Sequence, residues 1–446
     1  MTTATTISSL LAWEALDSRG KPTVGCEVTL AGGARGSATV PSGASTGTHE
    51  AVELRDGDPS RYAGNGVRKA VANVNGEIAD RVRGLDAADQ RGLDAALREL
   101  DGAPGLARLG ANAALAVSVA AAVAAAQATG VPLWRHAARM AGRDDAVPLL
   151  PLPMVNIISG GAHAGRSIDV QDFLVVPLGA GSFAEAIEWA ARVRAGTAQV
   201  LQDSGLPVAL VADEGGLGPI LPTNRRALEL LCEGIERAGL RLDDGDGTGV
   251  GIAIDIAATQ FLAQDGKYVL AAEQRRLTSQ ELVEELAQWC AEFPIVSLED
   301  ALAEDDWDGW TAATPKLTVN KAGRRVQLLG DDFFVTNAER LERGIGTGAA
   351  NAVLVKPNQA GTLSDALTVV KRAHEAGYTT VLSARSGETE DTWLADLAAG
   401  WHTGQIKVGS TTRSERTAKW NRLLRLESEP GTSARYAGAA GITKPL

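Results

Sequence analysis

Residues 379–391 read Thr-Thr-Val-Leu-Ser-Ala-Arg-Ser-Gly-Glu-Thr-Glu-Asp (TTVLSARSGETED). The first four are β-branched or apolar and read as a short buried strand. From Ser383 to Asp391 the chain turns polar, with Arg385 and Ser386 close to the strand end. The same pattern, an apolar strand closing on charge, recurs through the last two thirds of the chain. The expected strands are 208–211, 250–254, 295–298, 326–329, 352–355, 379–382 and 405–406. Amphipathic helices, such as 182–202, 224–238 and 279–291, lie between or before them. Strand–helix alternation implies parallel strands with right-handed crossovers. About seven or eight such units favour a closed α/β barrel over an open sheet.

Upstream the pattern differs. Residues 7–16, 24–30 and 38–40 read as an antiparallel meander, turning at Asp17-Ser18-Arg19-Gly20 and at Gly32-Gly33. The loop PSGASTG (41–47) follows, and its small residues let backbone approach a ligand or let the loop move. Helical patterns fill most of 66–138. A meander followed by helices predicts an α+β domain. Three prolines within 143–153 mark the boundary, giving domains 1–142 and 143–446.

The 446 residues carry a net charge of -12, which argues against a nucleic-acid partner, since phosphate backbones select surplus Lys and Arg. An anionic small molecule stays open if local cations hold it. Cys26, Cys232 and Cys290 are isolated, without metal-ligand spacing, and suit a reducing cytoplasm. No basic region precedes a long apolar run near the start, so no signal peptide is expected. The Ala-rich stretch 113–128 is the one membrane suspect. Alanine is weakly hydrophobic, and Ser118 and Gln127 interrupt the run, so it reads as a buried helix with no membrane partner.

Function is read from the strand ends. Asp213 and Glu214 follow the first expected strand, Asp255 ends the second, Glu299 and Asp300 the third, and Asp331 and Asp332 the fourth. Lys356 ends the fifth and Lys407 the last. In a barrel these ends meet on one face, where active sites lie. One acid after a strand is commonly a helix cap, but four in succession with two lysines are hard to explain by capping. Asp255, Glu299 and Asp331 offer hard oxygen ligands to Mg²⁺. Lys356 beside such a cation would have a depressed pKa and act as a neutral base, while Lys407 stays charged and stabilises an enolate. Arg385 and Ser386 suit a phosphate or carboxylate. Together these groups compose a metal-assisted proton abstraction next to a carboxylate.

Along nearly its whole length the chain resembles the enolase (phosphopyruvate hydratase) family. The resemblance rests on DSRG (17–20), PSGASTG (41–47), ELRDGD (53–58), DEGG (213–216), SLED (297–300), GDDFFVTN (330–337), RSGETED (385–391) and GQIK (404–407). A Lys or His base working with one or two Mg²⁺ is the general scheme of that superfamily. The resemblance implies an α+β capping domain on a modified TIM barrel, with two Mg²⁺ per active site. Asp255, Glu299 and Asp331 would bind the first. Ser45, in a loop that brings Gly43 and Ala44 to the substrate, would bind the second together with substrate phosphate. Lys356 would take the proton, Lys407 bind the carboxylate and Glu214 protonate the departing hydroxyl. Arg385 and Ser386 would hold phosphate, with His163 of GGAHAG in a second loop over the substrate. The implied assembly is a homodimer or higher homo-oligomer.

The departures from the family pattern cluster on the hydroxyl side. Ala384 stands where the family has a pocket histidine, which removes a donor and opens space. Asp172, in Gln171-Asp172-Phe173, replaces a glutamate that supports hydroxyl departure, one methylene longer. Ser159 replaces an asparagine, and Pro357 follows the base. Arg425 matches an arginine of the family's dimer interface, but Gly25 replaces its glutamate partner. Three readings follow. One is conversion of 2-phosphoglycerate to phosphoenolpyruvate. Another is a specialised paralogue acting on a related phosphorylated or phosphonylated three-carbon acid, such as a carboxyphosphonoenolpyruvate synthase of phosphinate antibiotic pathways. A third, a non-catalytic scaffold, is opposed by Lys356, Lys407 and the three metal acids.

Overall fold

A computed structural model of the chain describes residues 3–43, 47–144, 147–319, 323 and 325–446. Ala44 and Ser45, expected at the substrate and second metal, lie outside the described residues.

The first strands are β1 (Ile7–Leu16), β2 (Pro22–Leu30) and β3 (Arg35–Thr39), paired antiparallel in that order. The Ala-rich helix α1 (Ala111–Ala128) lies on this sheet. A Cβ at Gly36 of β3 would run into the backbone of Ala120 and Ala124. Glycine on the strand and alanines on the helix thus allow an unusually close approach. The helix is long and apolar enough to cross a membrane by length and composition, yet 83% of it is buried inside the fold.

Eight further strands close a barrel in sequence order. They are β4 (Leu152–Ser159), β5 (Asp172–Pro177), β6 (Val250–Asp255), β7 (Ile295–Glu299), β8 (Gln327–Gly330), β9 (Ala352–Val355), β10 (Thr379–Ser383) and β11 (Gly404–Gly409). The expected barrel is present, but its strands are not all parallel. β5 runs antiparallel to both β4 and β6. The link from β4 to β5 holds only a short turn, Gly161–Ala164, and no crossover helix, and the chain returns antiparallel. The expected strand 208–211 is absent: Leu210 is 76% exposed, and Val211 makes only an isolated bridge to Leu217. β4 and β5 take its place. The prolines read as a boundary flank and enter β4, where Pro153 pairs with Ile406 of β11.

The barrel's packing explains its charged end. Leu152, Met154, Leu174, Ala253, Leu329, Leu354 and Val381 form an apolar plug inside it. Side chains on a strand repeat every second residue. The residues two steps beyond the plug, toward the face that carries the site, are Asn156, Asp172, Asp255, Asp331, Lys356 and Ser383. One alternation thus closes the barrel below and lines its mouth with polar groups above.

Candidate active site

Lys407, on β11, places Nζ 2.7 Å from Asp255 Oδ2 and 2.7 Å from Glu299 Oε2. Burial works against its charge, but the two acids outweigh it and hold the pKa well above the ordinary lysine value. Lys356, following β9, donates to Asp331 Oδ2. Burial opposes this charge too, and Asp331 again outweighs it, so Lys356 titrates above the ordinary value. The depressed base expected from sequence belongs to Lys356 beside a bound cation, which would share Asp331 with it. Gln359 Nε2 donates to the other oxygen of the same carboxylate, Asp331 Oδ1, at 3.0 Å. Pro357 is no obstacle to the base. It opens a single helical turn (Pro357–Ala360) at the first position, where the missing N–H has no partner to lose.

A second cluster holds His163 and Glu214, which line the same cavity, and Asp172 buried behind them. Their ligand atoms all lie within 4.8 Å of one another. His163 Nδ1 meets Asp172 Oδ2 at 2.8 Å, and Nε2 lies 4.0 Å from Glu214 Oε1. Burial disfavours the imidazolium, but Asp172, then Glu214 and Asp255, lift its pKa to about 9. Burial raises Glu214 as well, and His163 with the nearby cations brings it below the ordinary value. Asp172 is not short of reach toward a partner: Ser159, Asn156 and His163 hold it. Ala384 lines the same cavity as His163, Glu214, Lys356 and Lys407.

The N-terminal domain completes the site. Arg385 pairs with Glu50 Oε2 at 2.9 Å and donates to Asn358 Oδ1 at 3.1 Å. Ser42 and Gly387 exchange two backbone hydrogen bonds, at 2.8 and 3.0 Å. The Arg19 guanidinium donates to the carbonyls of Ser42 and Gly43, which positions Gly43 at the edge of the site. Asp17 accepts from Ser42 Oγ at 2.6 Å. A Cβ at Gly387 would strike the Asp17 carboxylate and Arg19, so this crossing requires glycine. Asp213 is not at the cavity; its backbone N–H bonds the His163 carbonyl instead.

Several residues that sequence reasoning passed over matter here. Glu50 holds Arg385, and Gln171 donates to Asp255 Oδ2 at 3.0 Å. Asp300 accepts from the backbone N–H groups of Asp331 and Asp332 at 2.9 and 2.8 Å, so it shapes the loop that presents Asp331. The signal for Asp300 lay in the motif SLED and that for Ser159 in its departure from the family's asparagine; Asn156 had none, because β4 was hidden behind prolines. The donor set fits a hard divalent cation. Asp255, Glu299 and Asp331 are all oxygen ligands, and Glu299 Oε1 is buried without a hydrogen-bond partner among the described residues. Burial, and then repulsion from Asp255, push the Glu299 carboxyl well above its ordinary pKa, which a cation would relieve.

Comparison with known families agrees with this arrangement. Residues 7–137 match the model of "Enolase, N-terminal domain". Residues 147–444 match that of "Enolase, C-terminal TIM barrel domain". Those matches imply a superfamily enzyme, generally a lyase, dependent on a divalent metal. With a capping sheet, a closed barrel with one reversed strand and acids and lysines at its mouth, the chain belongs to the enolase family.

Proposed function

We propose that the protein is a Mg²⁺-dependent hydro-lyase that removes the α-proton of 2-phosphoglycerate and eliminates water to give phosphoenolpyruvate. The observation that carries this reading is the pairing of two lysines, Lys407 buried and Lys356 half-buried, with three carboxylates, Lys356 on Asp331 and Lys407 between Asp255 and Glu299. Asp255, Glu299 and Asp331 would hold one Mg²⁺ and Ser45 a second, supplying charge that stabilises an enolate and competes with Lys356 for Asp331. Lys356 Nζ, once neutral, accepts the α-proton. Lys407 faces the substrate carboxylate, and Arg385 with Ser386 the phosphate. The isolated free cysteines support a cytoplasmic setting.

A second reading is favoured by Ala384 and Asp172. The cavity wall at Ala384 offers no polar group, so a related phosphorylated or phosphonylated three-carbon acid, as in carboxyphosphonoenolpyruvate synthesis, is the competing substrate class. Turnover of 2-phosphoglycerate with saturating Mg²⁺, and exchange of its α-proton with solvent deuterium, separate the two. Rapid turnover, lost by about 100-fold or more in Lys356→Met, is the expected result. Exchange without turnover would select the second substrate class, and absence of both would sink the proton-abstraction reading.

A further inference from the structure

Asp172 is wholly buried, and both its oxygens are spent within the protein. Oδ1 accepts from Ser159 Oγ at 2.7 Å and from Asn156 Nδ2 at 2.5 Å. Oδ2 meets His163 Nδ1 at 2.8 Å. A carboxylate so engaged has little left for a ligand. It acts instead as a buried acid acts beside a working imidazole, fixing the ring and the proton on Nδ1 and leaving Nε2 as the functional nitrogen. His163 is itself buried, on the wall of the cavity that also holds Lys356 and Lys407.

We infer that His163 is the acid that protonates the departing oxygen, with Asp172, Ser159 and Asn156 as positioning residues and Glu214 as the counter-charge beyond Nε2. This rests on α-proton abstraction by Lys356 and deepens it. In the step, the α C–H pair left by Lys356 closes a C=C bond. The C–O bond breaks, its electrons leave with oxygen, and that oxygen takes the proton from His163 Nε2. A hydroxyl thus departs as water. Neutral His163 then recovers a proton from solvent, and Lys356 returns its own.

The local chemistry agrees. The ring faces Asp172, Glu214 and Asp255, which keep it protonated through neutral pH despite burial. Asp172 is fully buried with both oxygens engaged, so one methylene more at this position would have to displace the partners that hold it. Ser159 supplies a hydroxyl donor where it is needed. Ala384, on the same cavity, brings no competing imidazole. Three departures that look separate in the sequence thus meet at one proton.

The test uses the full chain with Mg²⁺ and 2-phosphoglycerate, and reads α-proton exchange and product formation separately. We expect His163→Gln to keep exchange within about three-fold while elimination falls by about 100-fold or more. Asp172→Asn should lose about ten-fold in elimination and move the alkaline limb of its pH profile to lower pH, with Ser159→Ala smaller in the same direction. Equal loss of both readouts in His163→Gln, or unchanged elimination, would overturn the assignment. If the native protein neither exchanges nor eliminates, the Lys356 reading has failed, and a substrate-free arm still decides this one. Nitrogen-15 NMR of the native protein should show a doubly protonated His163 ring at neutral pH. A neutral ring there would overturn the inference.

Discussion

Glu299 shows most plainly what a single residue can reveal. One oxygen is held by Lys407 and the other is buried with no partner among the described residues, in a site rich in carboxylates. Such an oxygen waits for a cation. Mg²⁺ at about 100 times its Kd should raise stability by about 2.7 kcal/mol, and Glu299→Gln should abolish the rise. Thermal melts with Mg²⁺ and with chelator check this; an equal Mg²⁺ shift in the variant would remove Glu299 from the ligand set. His163 makes a second prediction. Its pKa rises on folding from 6.5 to about 9, so its stabilising contribution is whole below 6.5 and lost as pH climbs through 9. The melting temperature of the native protein should therefore fall toward that of His163→Gln across this window, and a constant gap would contradict the assignment. The strand-end acids and lysines were legible in sequence because each follows an apolar run by a fixed step. The partners of Asp172 were not, because sequence shows a residue's type and not the direction of its hydrogen bonds.

Among elements, the barrel strands from β6 onward were legible because each is a short apolar run bounded by polar turns. β4 and β5 were not. β4 is entered through prolines that ordinarily break strands, and Pro153 is tolerated near the strand start, where it pairs with Ile406 of β11 before pairing to β5 begins at Val155. The apolar run at 208–211 matched the strand pattern equally well, yet it lies in a loop with Leu210 in solvent. Apolar periodicity measures potential for burial, and packing decides which candidates are buried. The crossing of the PSGASTG loop over the RSGETED loop is a more exacting junction. Gly387→Ala should cost about 1–3 kcal/mol through collision with Asp17 and Arg19, and should lower activity as the loop lifts. Denaturant unfolding checks the first part; an unchanged midpoint would show that the crossing yields easily.

At the scale of the whole molecule, assembly is the open prediction. On β1, an edge strand, Leu11 is 60% and Trp13 39% exposed. A Cβ at Gly25 would run into the Trp13 indole, so the glycine that displaces the family's interfacial glutamate gives this tryptophan its seat. We propose that an apolar contact centred on Trp13 joins two copies where an ion pair does so in relatives. Arg425 is 77% exposed and bonded only to Glu429 among the described residues. Sedimentation should give a dimer whose affinity is insensitive to salt and falls in Trp13→Glu. A native monomer would end the proposal.

The clasp between Asp17, Arg19, Ser42 and Gly387 has a consequence in time. Ser18 Oγ accepts from the N–H of Glu388 across 370 residues of chain, and Arg413 donates to the carbonyl of Ser18 across 395. The segment around Ser18 leaves the ribosome long before its partners at Glu388 and Arg413 are made. Contacts so distant in sequence form late, after local structure has paid for most of the chain's ordering. During synthesis the barrel mouth therefore stays unfinished until residues 385–413 have emerged, and a premature stop before residue 385 leaves a product with most of its helices and no working site. On refolding from denaturant, far-ultraviolet dichroism should recover ahead of enzymatic activity. Simultaneous recovery would mean that the two distant ends find each other as early as the helices form.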